Sequence, residues 1–339
     1  MQTRLSRRAF VGAAAGAGLG AVALSLAGCA SSGSSRPLTK VRYGDITSST
    51  SFPLTIAQQQ GYHAKQGIEV EKVPYAGLDA VTAAFRGNEV DGGVGGIATI
   101  VQIHAQGVPV QVVWGSVMFT NDVLVLNDSP IRRYEDLKGK KIGVFGGAAG
   151  ASANLFRAVC QAYYGFDPAK DSTIQYGAAP LLAGLLDKGE LDAFLSLDPV
   201  AAVQLATGKM RSIGDIGDIY QERTGEAAFS GCINFMESYA EKNPAAITGF
   251  LAAFVEGVQY LRAHPDAWIE LSKSLGIEDP KAANLVRDRT VNRLQIEWND
   301  EVMARQIRAL EFIQKYVGSE FLETIDRTAL TTKYVPRSG

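Results

Sequence analysis

The amino-acid sequence predicts an α/β protein of two lobes, each built around a largely parallel sheet. From Lys40 onwards, short apolar runs alternate with stretches of helical pattern, and this order is typical of α/β folds with parallel strands. The series stops at Asn127–Pro130 and then starts again. About 300 residues also exceed what a single core usually holds. We therefore expect residues 40–127, completed by residues 231–339, to form the first lobe, and residues 128–230 to form the second.

The first lobe begins with four predicted strands separated by helices. Ile68–Val73 alternates apolar and polar side chains, as expected for a strand with one solvated face. The helix predicted over Leu78–Arg86 is followed by Gly87, a residue type that commonly ends helices. The predicted strands are Val41–Gly44, Ile68–Val73, Val90–Val94 and Val110–Trp114, and the helices are Phe52–Gln60, Leu78–Arg86 and Ile97–Ala105.

A second series of strands and helices follows the strand Asp122–Leu126, and the strand Ala228–Phe235 leaves it. Its members are the strands Ile142–Phe145, Thr173–Tyr176 and Asp192–Leu195 and the helices Ala151–Tyr164, Pro180–Lys188 and Val200–Ala206. The last part of the chain is helical, over Pro244–Arg262, Asp266–Leu275, Pro280–Val291 and Glu301–Val317. We expect the chain to cross between the lobes near Leu126 and near Gly231. Strand ends of the two sheets would then face each other across a cleft, with a hinge at the crossings.

The N-terminus predicts export. Residues 1–28 carry three arginines and no acidic residue, and an uncharged run rich in Ala and Gly follows the arginines. Ser6–Val11 (SRRAFV) resembles a twin-arginine signal. Leu26–Cys29 (LAGC) resembles a bacterial lipobox, in which Cys29 would be acylated and residues 29–39 would form a flexible tether. The alternative is an uncleaved membrane helix, but Ala and Gly insert poorly. We expect a lipid-anchored protein in the periplasm or at the cell surface.

Charge and metal-ligand patterns exclude two classes of partner. The chain has 33 basic and 35 acidic residues and no basic stripe, which argues against nucleic acid. His63, His104 and His264 stand far apart, so no metal site is expected. Cys160 and Cys232 lie in apolar segments and are expected to be buried. Whether they form a disulfide is left open, because the sequence does not give their geometry.

Four stretches carry a resemblance to a known family. They are Pro53–Val70, Arg86–Asp91, Asp136–Val144 (DLKGKKIGV) and Gly189–Phe194 followed by Asp198-Pro199. In their order and spacing, the chain resembles the extracytoplasmic solute-binding proteins of ABC transporters, in the branch that takes nitrate, sulfonates, taurine and thiamine-pyrimidine precursors. The resemblance covers nearly all of residues 40–320. It implies a periplasmic-binding-protein (Venus-flytrap) fold, capture of a small solute, and delivery to a membrane permease with a cytoplasmic ATPase.

The segments that follow the predicted strands contain no lysine, arginine or histidine and are rich in Gly, Ser, Thr and Asn. Glycine lets a ligand approach the main chain closely, and the first turn of a helix offers unpaired N–H donors with a partial positive charge. Such loops can bind an oxyanion without a cationic side chain. The expected ligand-binding residues are Ser48, Ser49, Thr50, Ser51, Phe52, Gly95, Gly96, Phe119, Thr120, Asn121, Gly147, Ala148, Ala149, Tyr176 and Asp198.

Alternatives stay open for several of these residues. Asp198 either caps a helix before Pro199 or faces the cleft, where it would favour a solute with a donor or cationic group, such as an aminopyrimidine. Phe52, Phe119 and Tyr176 either contact the solute or simply pack beneath the loops. The glycine-rich segment at Gly143–Ser152 lacks both the Lys-Ser/Thr pair of a P-loop and the dinucleotide spacing, so we interpret it as one wall of a solute cleft.

The favoured function is capture of a small organic solute, sulfonate-, taurine- or carboxylate-like, without catalysis and without a cofactor. A binder of a thiamine-pyrimidine-type precursor is the alternative. An enzyme on the same scaffold would need a nucleophile or an acid–base pair in the cleft. Cys160 lies mid-helix, and His63 and His104 lie outside the post-strand loops, so catalysis is not expected. A lipid-anchored sensor or adhesion protein is a third class.

Overall fold

Two five-stranded sheets with helices around them make up the part of the chain that the computed structural model describes, residues 37–337. In chain order the strands are β1 (Thr39–Ile46), β2 (Ile68–Tyr75), β3 (Gly92–Gly96), β4 (Val110–Met118), β5 (Asn121–Leu126), β6 (Lys141–Phe145), β7 (Thr173–Gly177), β8 (Ala193–Leu197), β9 (Met210–Asp215) and β10 (Phe229–Met236). The predicted export signal and Cys29 lie outside the described residues.

The helices fill the intervals between the strands and most of the chain after β10. They are α1 (Phe52–Gln59), α2 (Tyr62–Lys65), α3 (Leu78–Arg86), α4 (Ile97–Ala105), α5 (Ala151–Tyr164), α6 (Pro168–Asp171), α7 (Ala179–Asp187), α8 (Val200–Ala206), α9 (Ile216–Thr224), α10 (Glu237–Lys242), α11 (Pro244–Ala263), α12 (Asp266–Lys273), α13 (Pro280–Thr290) and α14 (Asp300–Val317). Short 3₁₀ turns lie at Ser49–Ser51, Tyr134–Leu137, Gly318–Glu320 and Arg327–Ala329.

The first sheet has the order β2-β1-β3-β10-β4. β1 pairs in parallel with β2 and β3, whereas β10 is antiparallel to both of its neighbours. The carboxyl ends of β1 to β4 therefore lie at one edge of this sheet. The alternation of strand and helix confirms the α/β class expected from the sequence.

The second sheet has the order β7-β6-β8-β5-β9. β6 is parallel to β7 and β8, and β5 is antiparallel to β8 and β9. The sequence predicts the strand Asp122–Leu126 in the first lobe. This prediction is wrong, because among the described residues β5 pairs only with strands of the second sheet. The boundary between the sheets thus lies before Asn121, and the chain returns to the first sheet at Phe229.

The core of the first lobe is an aromatic cluster between the sheet and α11. Phe250 on α11 lies 4.7 Å from Tyr43 and 5.3 Å from Phe235, measured between ring centroids. Gly257 lets α11 approach α1, since a Cβ there would lie 2.2 Å from the Pro53 carbonyl oxygen. By length and composition α11 is the one described helix that could cross a membrane, but 56% of its apolar window is buried inside the fold. It is a core helix.

The C-terminal helices contact the second lobe as well as the first. α13 packs on α8, and α14 packs on α5. On α14, Phe312 lies 5.9 Å from the Tyr163 ring and 5.1 Å from the Tyr220 ring, both on second-lobe helices. The chain then returns to the first sheet, where Leu330 pairs with Val112 of β4. Residues 231–339, assigned to the first lobe by sequence, therefore contribute packing surface to both lobes.

Candidate functional site

The strand-end edges of the two sheets adjoin where the chain passes from β4 to β5. β4 ends at Met118 and β5 begins at Asn121, so only Phe119 and Thr120 separate the carboxyl edge of the first sheet from the second sheet. In the second sheet Asn121 pairs with Leu197, the last residue of β8. The amino end of β5 therefore lies at the same edge as the carboxyl ends of β6, β7 and β8. The predicted ligand-binding residues are distributed along these two adjoining edges.

The loop after β1 is organised by the buried carboxylate of Asp45. The Ser51 hydroxyl donates to Asp45 Oδ1 at 2.6 Å, and the Ile46 N–H donates to the same oxygen at 2.9 Å. Lys72 Nζ on β2 lies 3.0 Å from Asp45 Oδ2. Both carboxylate oxygens of Asp45 thus have partners inside the first lobe, and these contacts hold the serine-rich loop in place. Its negative charge is offset by the lysine and does not stand alone toward a ligand.

Within this loop the predicted residues divide into two groups. Ser48 caps the turn, accepting from the Thr50 N–H at 3.3 Å, and half-buried Thr50 is within 3.1 Å of the Ser48 hydroxyl. The Ser49 hydroxyl is fully buried and has no hydrogen-bond partner among the described residues. Phe52 is buried with its ring 5.6 Å from Trp268, edge to face. Phe52 is therefore a packing residue, the simpler of its two interpretations.

The glycines at the end of β3 serve two purposes. A Cβ on Gly95 would lie 2.6 Å from the Asn234 amide of β10, so Gly95 is required by the close approach of two strands. A Cβ on Gly96 would meet nothing closer than 3.6 Å, which leaves this position open at the strand end. Gly96 is thus the better of the two candidates for ligand contact.

In the second lobe, polar side chains connect β5, β8 and α5. Asn121 donates to the Ser196 carbonyl at 3.3 Å and accepts from the Ser152 hydroxyl at 3.3 Å. Beside them, the loop containing Gly147, Ala148 and Ala149 is exposed and leads into α5, which has no side-chain cap. The first N–H groups of an uncapped helix lack intrahelical partners and carry partial positive charge. This edge can therefore donate to an anion.

Asn154 holds that loop in place from inside the helix. Its side chain is fully buried, and its Nδ2 donates to the carbonyls of Ala148 at 3.1 Å and Gly150 at 2.9 Å. Gly146, at φ +82°, supplies the left-handed turn that starts the loop after β6. The Asn154 side chain thus holds the two loop carbonyls toward the protein interior. The conformation of the loop therefore depends on both the Gly146 backbone and this buried amide.

The two remaining aromatic candidates have different surroundings. Phe119 is buried, and its Cβ would lie 2.8 Å from a Cβ placed on Gly217 of α9, so it packs at the crossing. Tyr176, at the end of β7, is 37% exposed and available to a ligand. Burial of the ring is nonetheless sufficient to raise the pKa of its hydroxyl.

Asp198 is buried and paired with a cation that the sequence does not predict at the site. Arg289 of α13 donates through Nε to Asp198 Oδ1 and Oδ2, both at 3.0 Å, and its Nη2 donates to Asp122 of β5. Asp198 Oδ1 also accepts from the Ala202 N–H at 3.1 Å. Burial raises the pKa of Asp198 to about 6, against the opposing effect of Arg289. Asp198 thus combines a helix-end role with an ion pair.

A polar cavity of about 410 Å³ lies beside this ion pair. It is lined by Thr120, Asp122, Asp215, Asp218, Asp288, Arg289, Asn292 and Arg293. Arg293 pairs with Asp218 at 2.6 Å, and burial raises the pKa of Asp215 to about 7. A second cavity of about 390 Å³ shares Asp215 and Asp218 with it. Thr120 is the one predicted ligand-binding residue that lines either cavity.

The nucleophile and acid–base candidates of the chain lie away from these edges. Cys160 and Cys232 are buried free thiols, so the structure does not join them in a disulfide, and burial raises the pKa of each. His63 stacks 5.7 Å from Phe250 in the first-lobe core. His104 lies between Glu237 and Asp326, at 2.9 and 2.8 Å. Residues 37–337 hold no group of His, Cys, Asp and Glu side chains arranged for a metal.

Comparison with other sequences gives two kinds of relative. The 4-amino-5-hydroxymethyl-2-methylpyrimidine phosphate synthase THI13 of Saccharomyces cerevisiae is 26% identical over 231 residues, 65% of this chain and 66% of the yeast protein. A putative aliphatic sulfonates-binding protein of Escherichia coli is 30% identical over 185 residues, 54% of each chain. The chain thus spans just under two thirds of the yeast relative and about half of the bacterial one.

Comparison with solved structures shows the fold. The periplasmic aliphatic sulphonate binding protein SsuA of Escherichia coli superposes with a TM-score of 0.72 at 24% identity, covering 88% of this chain and 94% of its own. The alkanesulfonate-binding protein SsuA of Xanthomonas axonopodis, bound to MOPS, gives 0.69 at 19% identity, covering 87% and 99%. Both confirm the two-lobe periplasmic-binding-protein fold. The model of the NMT1/THI5-like family matches residues 48–268, well over half of the chain, and the protein belongs to that family.

Proposed function

We propose that this protein is the solute-binding component of an ABC importer and that it captures a small organic anion, sulfonate-, taurine- or carboxylate-like, between its lobes. The observation that carries the proposal is the charge arrangement at the adjoining strand ends. Asp45 and Asp198, which would repel an anion if they stood free, are paired with Lys72 and Arg289. The uncapped start of α5 remains as an exposed donor surface.

Main-chain donors and hydroxyls suit an organic anion. A hydrogen bond to a charged group contributes about 1.5–3 kcal/mol, so three or four of them, less the cost of ordering, give roughly micromolar affinity. Exposed Tyr176 offers an apolar surface to the body of such a solute. Two structural neighbours named as sulfonate-binding proteins support the same class of solute.

The importer role extends to partners and location. A membrane permease and its cytoplasmic ATPase would receive the solute, and acylated Cys29 would hold the protein at the membrane. The arginine-rich, acid-free leader and the LAGC sequence support export and anchoring. Replacing Cys29 with Ser is expected to release the protein from the membrane fraction, and continued membrane association would contradict the lipid anchor.

The second candidate is a thiamine-pyrimidine-type precursor. Family membership and the yeast relative's name favour it, as do the carboxylates around the 410 Å³ cavity, which can accept hydrogen bonds from an exocyclic amine. A synthase activity on this scaffold would need a reactive side chain at the strand ends. Both described thiols are buried, which favours binding without catalysis.

The test is a thermal-shift screen followed by calorimetry, because binding raises apparent stability by mass action. The probes are taurine, ethanesulfonate, an aromatic carboxylate, a 4-aminopyrimidine and nitrate. In the variant Ala148→Asp, a negative charge in the loop that leads into α5 is expected to weaken sulfonate binding at least tenfold. The matched control is Ala245→Asp, the same change at an exposed position in the first turn of α11.

The outcomes separate the two candidates. Stabilisation by a sulfonate or carboxylate, lost in Ala148→Asp and kept in Ala245→Asp, supports the anion. Stabilisation by the aminopyrimidine alone would replace it with the second candidate. A protein that none of the probes stabilises would contradict the proposal.

A further inference from the structure

α13 is fixed to the first lobe at both of its ends. On its amino side, α12 places Trp268 against Phe52 of α1, with ring centroids 5.6 Å apart. On its carboxyl side, Leu294 pairs with Val117 of β4, and the Gln295 N–H donates to the Ser116 carbonyl at 3.0 Å. Because both attachments are first-lobe elements, α13 is expected to move with that lobe.

From this position α13 reaches the second lobe. Its Lys281 donates to the Ala206 carbonyl at the end of α8 at 2.8 Å. Ala202 of α8 and Ala282 and Ala283 of α13 are buried, and such small side chains allow helices to approach closely. The α8–α13 contact is therefore close.

The charged contact at the other end of α13 is of a different kind. The Arg289 guanidinium engages Asp122 and Asp198, whose side chains are only 4% and 2% exposed, while the arginine side chain is 23% exposed. Asp122 is held on the second lobe by the Ser212 hydroxyl at 2.5 Å, and Asp198 by the Ala202 N–H at 3.1 Å. Both acceptors thus belong to the second lobe and the donor to the first.

Removal of the guanidinium would leave two neighbouring carboxylates buried without a cation, which is strongly unfavourable. Separation of the lobes would return them to water and relieve that penalty. The guanidinium therefore contributes to the balance between an open and a closed arrangement, beside the Arg293–Asp218 pair and the Lys281 contact. A ligand shifts such an equilibrium only by its differential affinity for the two states, so the intrinsic bias sets how tightly any solute is held.

We infer that Arg289 is a positioning residue for solute capture: it latches the first lobe to Asp122 and Asp198 of the second lobe and so sets the population of the closed cleft. This inference rests on the proposed capture of a solute between the lobes. It assigns Arg289 a role in closure of the lobes. The ion pairs of Arg289 with Asp122 and Asp198 would favour the closed arrangement even before a solute is bound.

The test measures the distance between the lobes in the absence of solute. Spin labels are placed at Leu78→Cys on α3 and Leu181→Cys on α7, which are 40% and 58% exposed. These helices follow β2 and β7, which are edge strands of the two sheets on the side away from β4 and β5, so opening is expected to change the distance between them. Cys29→Ser in the full chain, together with the burial of Cys160 and Cys232, keeps labelling at the introduced pair.

In Arg289→Gln, the label distances are expected to lengthen and the closed fraction to fall about tenfold, equivalent to 1.4 kcal/mol. Arg42→Gln is the matched control, since Arg42 pairs with Asp91 at 2.9 Å inside the first lobe. It should leave the distances unchanged. Identical distance distributions in wild type and Arg289→Gln would overturn the latch.

A charge-compensated variant distinguishes loss of the ion pairs from misfolding of the Arg289→Gln protein. Adding Asp122→Asn and Asp198→Asn to Arg289→Gln removes the stranded charges, and the short distances are expected to return in part. If the triple variant stays as open as the single one, charge pairing is not the cause and the inference fails. If Arg289→Gln lengthens the distances but the protein binds no sulfonate, only the proposed solute is contradicted. If the protein binds a sulfonate but the distances do not change in Arg289→Gln, only the latch is contradicted.

Discussion

Asp215 gives a sharp prediction, because its carboxyl both caps a helix and lines the two cavities. Its Oδ1 accepts from the Gly217 N–H at 2.7 Å and the Asp218 N–H at 3.2 Å at the start of α9. Burial, reinforced by the negative charge of Asp122, raises its pKa from 3.8 to about 7. A pKa raised on folding means that this group stabilises the fold fully below pH 4 and loses that contribution as the pH rises through about 7.

The substitution Asp215→Asn removes the charge and keeps a side-chain oxygen that caps a helix equally well. Each pKa unit corresponds to about 1.4 kcal/mol, so a difference of about three units sets an upper limit near 4 kcal/mol. We expect the variant to exceed wild type in free energy of unfolding by about 2–4 kcal/mol at pH 8, with the difference shrinking toward pH 4.

Urea unfolding at pH 5, 6, 7 and 8 measures this difference directly. Asp218→Asn is the control in the same helical turn. It removes a half-exposed carboxylate that pairs with Arg293, and a pair so exposed to solvent contributes about 0–1 kcal/mol. An Asp215→Asn protein that is less stable than wild type at pH 8, or whose advantage does not change with pH, would refute the reasoning.

Three further predictions concern the first lobe. His63 is buried with neither ring nitrogen hydrogen-bonded, and burial lowers its pKa to about 4. Wild type should therefore lose about 2 kcal/mol of stability through this group between pH 7 and pH 5. In His63→Leu that loss should be absent, as measured by urea unfolding. Gly257→Ala should destabilise by at least about 1–3 kcal/mol in thermal unfolding, because its Cβ would clash with the Pro53 carbonyl; unaltered stability would mean that α1 and α11 are not in close contact. Lys72→Met should lower the free energy of unfolding by about 1–2 kcal/mol and abolish solute binding, because it leaves the Asp45 carboxylate without its cation. Adding Asp45→Asn should restore part of the stability and part of the binding. If neither is restored, the unpaired charge is not the cause.

Most of the α/β series was predictable from local sequence, whereas β9 and α9 were not. Met210–Asp215 (MRSIGD) is too polar to stand out as a strand, and it is its pairing with β5 that makes it one. For α9 the sequence did carry information, because Asp215 precedes the helix and Gly225 ends it at φ +77°. A search for paired helix-start and helix-end residues would have found it.

Long-range placement is what local patterns lacked. The apolar run of β5 predicts a strand but not which sheet it joins, since either sheet would bury it. The sequence predicts a first-lobe helix around Arg289, and nothing in the neighbouring residues indicates that Arg289 pairs with Asp198, 91 positions earlier. The position of Phe52 and Phe119 after strands favours ligand contact, but both side chains are buried in the core.

The central claim is that main-chain donors at the adjoining strand ends hold a small organic anion. Backbone amide chemical shifts, recorded by NMR during titration with ethanesulfonate, test it most directly. The account predicts the largest changes at Gly147–Ser152 and at Ser48–Thr50, with Ala245 unaffected. Saturable changes confined to other surfaces, or no changes at millimolar ethanesulfonate, would contradict it.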